Sequence, residues 1–174
     1  MEKQEISTGR FYHPLVSLAV EISYTPNNSL NIFRISLSEN EFKVGTTDLQ
    51  EPVRFIGQRI VNFLDGQYDD FSDLKLDFSG MSIFKIRVLE AARTIPCGRT
   101  VTYSELAAMS GYPNAVRAAA SVMRNNRFPL IIPCHRVVRK NGSPGGYCGQ
   151  LGGPMFELKQ QLLQMEQKSG RKRQ

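Results

Sequence analysis

Thr102-Tyr103-Ser104-Glu105-Leu106-Ala107-Ala108-Met109-Ser110-Gly111-Tyr112-Pro113-Asn114-Ala115-Val116-Arg117-Ala118-Ala119-Ala120-Ser121-Val122-Met123-Arg124 reads as two short helices on either side of a tight turn. Thr102, followed three residues later by Glu105, fits a capping box, in which a hydroxyl and a carboxylate each satisfy an orphan backbone N–H at a helix start. That helix runs to about Met109. Gly111-Tyr112-Pro113 supplies the turn, and a second helix spans Asn114 to Arg124. Two helices joined by a glycine-containing turn make a helix-turn-helix. The second helix carries small side chains on most of its turns. Alanine has the best helix propensity, so this composition alone suits a simple buried helix. It also suits a helix that must approach another surface closely, with Arg117 as its one long projecting group.

Downstream, Leu130 to Ile132 predicts a short buried strand. Pro133 stops it, and Cys134-His135-Arg136 follows directly before a second apolar pair, Val137-Val138. These two apolar pieces would be the strand or wing material of a winged-helix variant. A thiol at the mouth of a strand faces a site. An imidazole and a guanidinium beside it in sequence are the groups that favour a nucleophilic thiolate. Glycines cluster from Asn141 to Pro154, a loop able to bring backbone N–H groups close to a flat ligand. Its spacing matches no phosphate-binding loop. Phe156 to Met165 predicts a closing helix, and the basic stretch 169–174 is expected to be a disordered tail.

Upstream the pattern changes. Val16, Leu18, Val20, Ile22 and Tyr24 alternate with polar or small residues, as in a half-buried strand. Thr25-Pro26-Asn27-Asn28 is a turn, and Leu30 to Leu37 a second strand, giving a hairpin. Pro52 opens a helix with Val53, Ile56, Ile60, Phe63 and Leu64 on one face, ended by Gly66. Tyr68 to Asp73 reads as an acidic loop, and Leu74, Leu76 and Phe78 as a short strand. Ser82 to Thr94 is helical, with Phe84, Val88 and Ala92 four apart, until Pro96-Cys97-Gly98 breaks it. The expected organisation is an α/β domain over 1–80, a mainly helical domain over 81–168 and the tail 169–174.

Charge divides along the same line. Residues 1–80 hold seven Lys and Arg against twelve Asp and Glu, and residues 81–174 hold fifteen against four. Without the tail Lys168 to Arg173 the second part still has eleven basic residues against four acidic ones. A basic domain of this kind points to a polyanionic partner, nucleic acid first. The longest apolar runs fall far short of the roughly 18 residues of a membrane span. Met1 to Arg10 carries both charge signs and has no apolar core, so a secretory signal is not expected. Three cysteines, Cys97, Cys134 and Cys148, form no disulfide framework in 174 residues and fit a reducing cytosol.

Pro133-Cys134-His135-Arg136-Val137-Val138 resembles the signature of the O6-alkylguanine-DNA alkyltransferases, also called methylated-DNA–protein-cysteine methyltransferases. The resemblance extends from about Phe84 to Leu163. It takes in Gly98-Arg99-Thr100-Val101-Thr102-Tyr103, the Arg117 helix, Asn126 and Gly145-Gly146-Tyr147, in order and spacing. It implies a ribonuclease H-like α/β N-terminal domain, a small sheet plus helix, followed by a winged helix-turn-helix. It implies irreversible, single-turnover transfer of a methyl or other alkyl group from O6-alkylguanine in DNA to Cys134, after nucleotide flipping, with O4-alkylthymine as a second candidate substrate. No cofactor is implied. The implied partner is double-stranded DNA, bound through the minor groove by a monomer, with no membrane. The implied location is the cytoplasm, nucleoid-associated or nuclear according to the organism.

The same resemblance assigns roles. Cys134 would be the acceptor, His135 would take its proton through a water, and Glu166 would orient His135. Asn126 would fix the turn beneath the active segment. Tyr103 would donate a proton to guanine O6. Arg117 would fill the gap left by the flipped nucleotide, with Thr102, Tyr103, Ala115, Ala118, Ser121 and Arg124 as further DNA contacts. Tyr147, Cys148, Gly149 and Pro129 would line the guanine pocket. Some positions depart from the family pattern. Ala120 and Ser121 stand where glycine is usual, Arg127 where proline is common, and Cys148 where serine or alanine is usual. Gly152 to Phe156 reads as an insertion before the last helix. Family members with zinc in the N-terminal domain use several Cys and His there. Before Gly80 this chain has only His13, so no metal site is expected. Alkyltransferase-like binders replace the acceptor Cys, commonly by Trp; here Cys134 is present and Trp is absent. A transcription regulator would need major-groove readers that the Ala-rich helix lacks. A cysteine hydrolase would need an oxyanion-binding helix start near Cys134 that the sequence does not offer.

Overall fold

In the computed structural model, which describes residues 7–13, 18–25, 31–38 and 51–171, the alternating stretch of the N-terminal part is a strand. Ser7–His13 (β1), Leu18–Thr25 (β2) and Asn31–Ser38 (β3) form an antiparallel sheet in the order β1-β2-β3. Ile22 lies opposite Ile35 in the β2–β3 register, and both are buried, as is Ile32. The expected hairpin is therefore present. Val16, the turn residues Pro26 to Asn28 and Leu30 lie outside the described residues. Strand β1 had no expectation attached to it: Ser-Thr-Gly-Arg-Phe-Tyr-His has no apolar alternation, and its pairing along β2 makes it a strand.

Helix α1 (Glu51–Leu64) packs on β1 and β2 and buries Val53, Ile56, Ile60 and Phe63, the stripe the 3.6-residue period predicts. Arg59 on its outer side holds the acidic loop, donating to Asp69 and Asp73 at 2.7 Å each. Leu74 to Phe78 is not the expected strand. It makes one parallel bridge, Leu76 to Ile32, flanked by Ile32 N–H to Lys75 O (2.9 Å) and Asp77 N–H to Ile32 O (2.8 Å). Between the Arg59-tethered turn at Asp73 and the turn at Ser79 there is no length for a ladder. These elements belong to one compact unit, residues 1–78; residues 79–174 form the other.

The second unit opens with α2 (Ile83–Arg93), capped by the Ser82 hydroxyl, and buries Val88, Leu89 and Ala92. Val101–Thr102 (β4) leads into α3 (Tyr103–Met109). The capping box forms as read: the Thr102 hydroxyl accepts from Glu105 N–H (3.2 Å), and the Glu105 carboxylate accepts from Thr102 N–H (2.6 Å). Helix α4 is Val116–Arg124, two residues shorter than expected at its start. Ala115 N–H bonds Tyr112 O at 2.9 Å, which keeps Pro113 and Asn114 in the turn. After α4 come a single 3-10 turn, Cys134–Arg136, then β5 (Val137–Val138) and α5 (Pro154–Arg171). Strands β4 and β5 pair in parallel, Val101 with Val137 and Thr102 with Val138.

Three expectations need correction here. Leu130 to Ile132 is buried but is no strand; it is a tight turn closed by Ile132 N–H to Phe128 O (2.8 Å), with Leu130 at φ +73°. An apolar run records burial, and burial does not require a strand. Helix α5 starts two residues before Phe156 and continues past Met165, with Pro154 at its first position, where a missing N–H costs nothing. Consequently the tail expected at 169–174 begins as helix to Arg171; residues 172–174 lie outside the described residues. Among the described residues no helix is long and apolar enough to cross a membrane.

Candidate active site

Asn126 builds the platform for Cys134. Its Oδ1 accepts from Phe128 N–H (2.9 Å) and its Nδ2 donates to Ile132 O (3.0 Å), so one side chain clamps both ends of the turn. The same Nδ2 reaches Cys134 Sγ at 3.3 Å. Cys134 N–H bonds Ile132 O (2.7 Å) and Arg136 N–H bonds Pro133 O (2.9 Å), which fixes the 3-10 turn. The thiol is only 5% exposed, so what reaches it must enter a cavity. Burial pushes the Cys134 thiol up from its ordinary value, while the Asn126 amide and the Lys159 ammonium pull it down. The sequence neighbours do not supply that cationic help, contrary to expectation. A 3-10 turn sends consecutive side chains in different directions, and those of His135 and Arg136 are engaged elsewhere.

They meet at Glu166. His135 Nε2 lies 2.8 Å from Glu166 Oε1. Arg136 donates through Nε (2.9 Å to Oε2) and Nη2 (2.8 Å to Oε1), while its Nη1 binds Ile95 O at 2.6 Å. Gly98 N–H, on a backbone with φ +78°, adds a bond of 3.1 Å to Oε2. Glu166 is 2% exposed. Burial alone would raise its carboxyl, but the His135 and Arg136 donors outweigh that and hold it at about 2. An ionised Glu166 only accepts, so His135 Nε2 carries the ring proton and Nδ1 is left as the basic nitrogen. Burial keeps the imidazole below its ordinary value, and therefore neutral near pH 7. The carboxylate lies eighteen residues past Cys148, yet α5 returns it to the His135 ring.

Cys134 opens onto a cavity of about 220 Å³ walled by Tyr103, Met123, Arg124, Arg139, Tyr147, Cys148 and Gly149. Tyr103 comes from the start of α3 and Arg124 from the end of α4. The Gly-rich loop supplies Tyr147, Cys148 and Gly149 from a tight turn in which Tyr147 N–H bonds Gln150 O (2.8 Å). The Tyr147 hydroxyl is buried and makes no hydrogen bond in the structure. Burial, with the neighbouring thiols, raises Tyr147 well above its ordinary value. Burial, and then the Cys134 thiol, also raise Tyr103, against a lowering by Arg139. Cys148 is pushed by burial up to about 12. Pro129 is not brought to the cavity wall. It is buried in the turn under Cys134, bridged to Ile132.

Helix α4 buries Ala119, Val122 and Met123 and exposes Arg117, Ala118, Ser121 and Arg124 on one face. Ala115 sits half-buried at its cap, and the Thr102 hydroxyl is occupied by the α3 capping box. The sequence reading missed Lys159, which is fully buried. Its Nζ donates to Val137 O (2.7 Å) and Gly146 O (3.4 Å), tying the active turn to the pocket loop, and burial lowers it to about 8. The signal was present: Lys159 falls in the α5 stripe Met155, Leu158, Leu162 and Glu166, where an exposed Lys would not.

Comparison with known proteins gives the chain a family. Residues 83–168 match the model of the 6-O-methylguanine DNA methyltransferase, DNA binding domain. A methylated-DNA–protein-cysteine methyltransferase of Methanothermobacter thermautotrophicus is 47% identical over 104 residues, which is 60% of this chain and 55% of that protein. The chain thus spans little more than half of that relative's length. A protein of the same name from Kluyveromyces lactis is 34% identical over 140 residues, 76% of this chain and 71% of its own. The crystal structure of Mycobacterium tuberculosis O6-methylguanine methyltransferase superposes with a TM-score of 0.67 at 25% identity, covering 94% of each chain.

Proposed function

Because the chain belongs to the 6-O-methylguanine DNA methyltransferase family, we propose that it repairs DNA directly, by moving an alkyl group from guanine O6 to its own Cys134. The observation that carries this reading is the Cys134 thiol at the floor of a cavity beneath α4, with Tyr103 and Tyr147 in the walls. His135 Nδ1 takes the thiol proton, relayed by a water, and Glu166 holds the imidazolium that forms. The sulfur attacks the alkyl carbon in line, the S–C bond forms, and the C–O6 bond breaks with its electron pair left on the purine. Tyr103 supplies the proton that makes the purine a neutral leaving group. The product is a thioether, so each molecule acts once.

An O6-alkyl group inside a base stack is out of reach of a buried thiol, so the nucleotide is flipped into the cavity. The exposed face of α4 suits entry into the minor groove, with Ala115, Ala118 and Ser121 short enough for close approach and Arg117 as the wedge. Tyr147, Cys148 and Gly149 hold the base. In this reading α3 and α4 are the helix-turn-helix, β4 and β5 stand in for a wing, and the protein acts as a monomer on double-stranded DNA. The β1-β2-β3 meander with α1 corresponds to part of a ribonuclease H-like layout, its role open to deletion. O4-alkylthymine is the second substrate to try.

The test is to incubate the protein with duplex DNA carrying O6-methylguanine and weigh the peptide containing Cys134. One added methyl group per molecule is expected; intact lesions held by unmodified protein would leave a binding-only protein instead. Arg117→Ala should slow transfer from duplex DNA by roughly 10–100-fold, the scale of one lost inserted side chain, and leave reaction with free O6-benzylguanine nearly unchanged. Equal losses on both substrates would remove the wedge role from Arg117.

A further inference from the structure

Arg139 is an exposed residue on the wall of the Cys134 cavity. Its backbone is fixed by a tight turn: Arg139 N–H bonds Ser143 O (2.9 Å) and Gly142 N–H bonds Arg139 O (2.8 Å). From there the side chain lies over Gly145. A Cβ placed on Gly145 would stand 3.6 Å from Arg139 Cγ, 3.7 Å from Arg139 Nε and 3.3 Å from the Tyr103 hydroxyl. Gly145, at φ +69°, thus has the Arg139 side chain and the Tyr103 hydroxyl both within van der Waals reach of its open Cβ position. Among the described residues no ion pair neutralises Arg139, whereas Arg59 and Arg136 both meet carboxylates.

We propose that the Arg139 guanidinium is a positioning residue for alkyl transfer, a cation on the cavity wall that stabilises the negative charge left on Tyr103 when its proton passes to the departing purine. The inference rests on the alkyl-transfer reading above. In the step itself the thiolate electron pair forms the S–C bond and the C–O6 pair stays on the purine. The purine takes the Tyr103 proton, and the resulting tyrosinate is reprotonated from solvent. Charge moves from sulfur to the phenol oxygen, and a cation beside that oxygen lowers the energy of the charged state most when water is excluded.

Other groups face Tyr103 as well. Cys134, on the 3-10 turn, opposes ionisation of the phenol, as burial does, and Arg139 favours it. Arg124 of α4 reaches the cavity beside Gly149, its Nε 4.0 Å from where a Cβ there would lie. Cys148 stays protonated near pH 7. Lys159 is committed to Val137 O and Gly146 O. Arg139 is therefore the cation placed to act on the Tyr103 oxygen.

The experiment measures the pH profile of benzyl transfer from free O6-benzylguanine, which needs no DNA contact, for the wild type, Arg139→Gln and Arg139→Lys, each also in a Tyr103→Phe background. Arg139→Gln should slow transfer roughly 10-fold and move the alkaline limb up by about one pH unit, since a tenfold change in the phenol's ionisation is one unit. Arg139→Lys should restore most of both. With Tyr103→Phe already in place, Arg139→Gln should add nothing. An unmoved alkaline limb, or the same additional loss without the phenol, overturns the inference. A wild type that accepts no benzyl group at all sinks the alkyl-transfer reading itself.

Discussion

Cys134→Ala should abolish alkyl transfer while the protein still binds duplex DNA. Nothing else in the cavity can replace the lost sulfur. Cys148 is a second thiol on the same wall, but burial, the larger of the two effects that push it up to about 12 in the wild type, remains when Cys134 is gone, so Cys148 stays a protonated, weakly nucleophilic thiol at pH 7. It also has no imidazole assigned to it, whereas His135 is adjacent to Cys134 and oriented by Glu166. Peptide masses after exposure to O6-methylguanine DNA should show no methylated species in the variant. Methyl transfer to Cys148 at a comparable rate would make the cavity, rather than Cys134, the reactive feature. The fold should hardly notice the change. Asn126 Nδ2 keeps its bond to Ile132 O when the sulfur goes, so the stability loss should stay near the roughly 1 kcal/mol of one weak hydrogen bond plus a small void.

How much of this site was legible in the sequence depends on the range of the interaction. Local rules worked. The Thr102–Glu105 capping box needs only three residues of spacing, and the small-residue composition of α4, with Arg117 projecting, is a property of its own stretch of sequence. Interactions between distant segments were mostly hidden. Strand β1 exists because β2 offers it a partner, and no feature of its own composition announces that. Leu130 to Ile132 looked like a strand because burial and strand pairing leave the same apolar run. The turn is instead dictated by Asn126, whose amide bonds both Phe128 N–H and Ile132 O. Arg136 looked like an activator of its neighbour Cys134, yet its guanidinium is spent on Glu166 and Ile95 O, 30 and 41 residues away. Glu166 came from the family resemblance alone, because its 31-residue separation from His135 leaves no local signal. Lys159 was overlooked because a lysine is ordinarily read as solvent-facing, although its place in the α5 stripe says otherwise.

Glu166→Gln should be the most destabilising single-atom change in the second unit. The wild-type carboxylate accepts from His135 and from two nitrogens of Arg136 in the interior, and from the half-buried Gly98 N–H. An amide is nearly isosteric, but it is uncharged and brings an N–H₂ group to face donors. Arg136 is then left as a buried cation, 5% exposed, without its counter-charge. Breaking a buried pair in this way costs about 3–5 kcal/mol, and urea unfolding should show it. The pH dependence gives a separate reading. Glu166 is held at about 2 in the folded protein against an ordinary value of 4.5, so its stabilisation is complete above 4.5 and fades as pH falls through 2. His135 acts in the same direction: kept neutral by burial, it favours the unfolded chain once the medium is acid enough to protonate an exposed imidazole. The variant should therefore lose the Glu166 part of the acid limb, its stability flatter between pH 4.5 and 2 than that of the wild type. Transfer should fall as well, by roughly 10²–10⁴-fold, because an imidazole without its carboxylate neither holds the Nε2 proton in place nor stabilises the imidazolium. A variant as stable as the wild type, with the same acid limb, would mean that Arg136 and His135 do not depend on this carboxylate and that α5 is held by its apolar stripe alone.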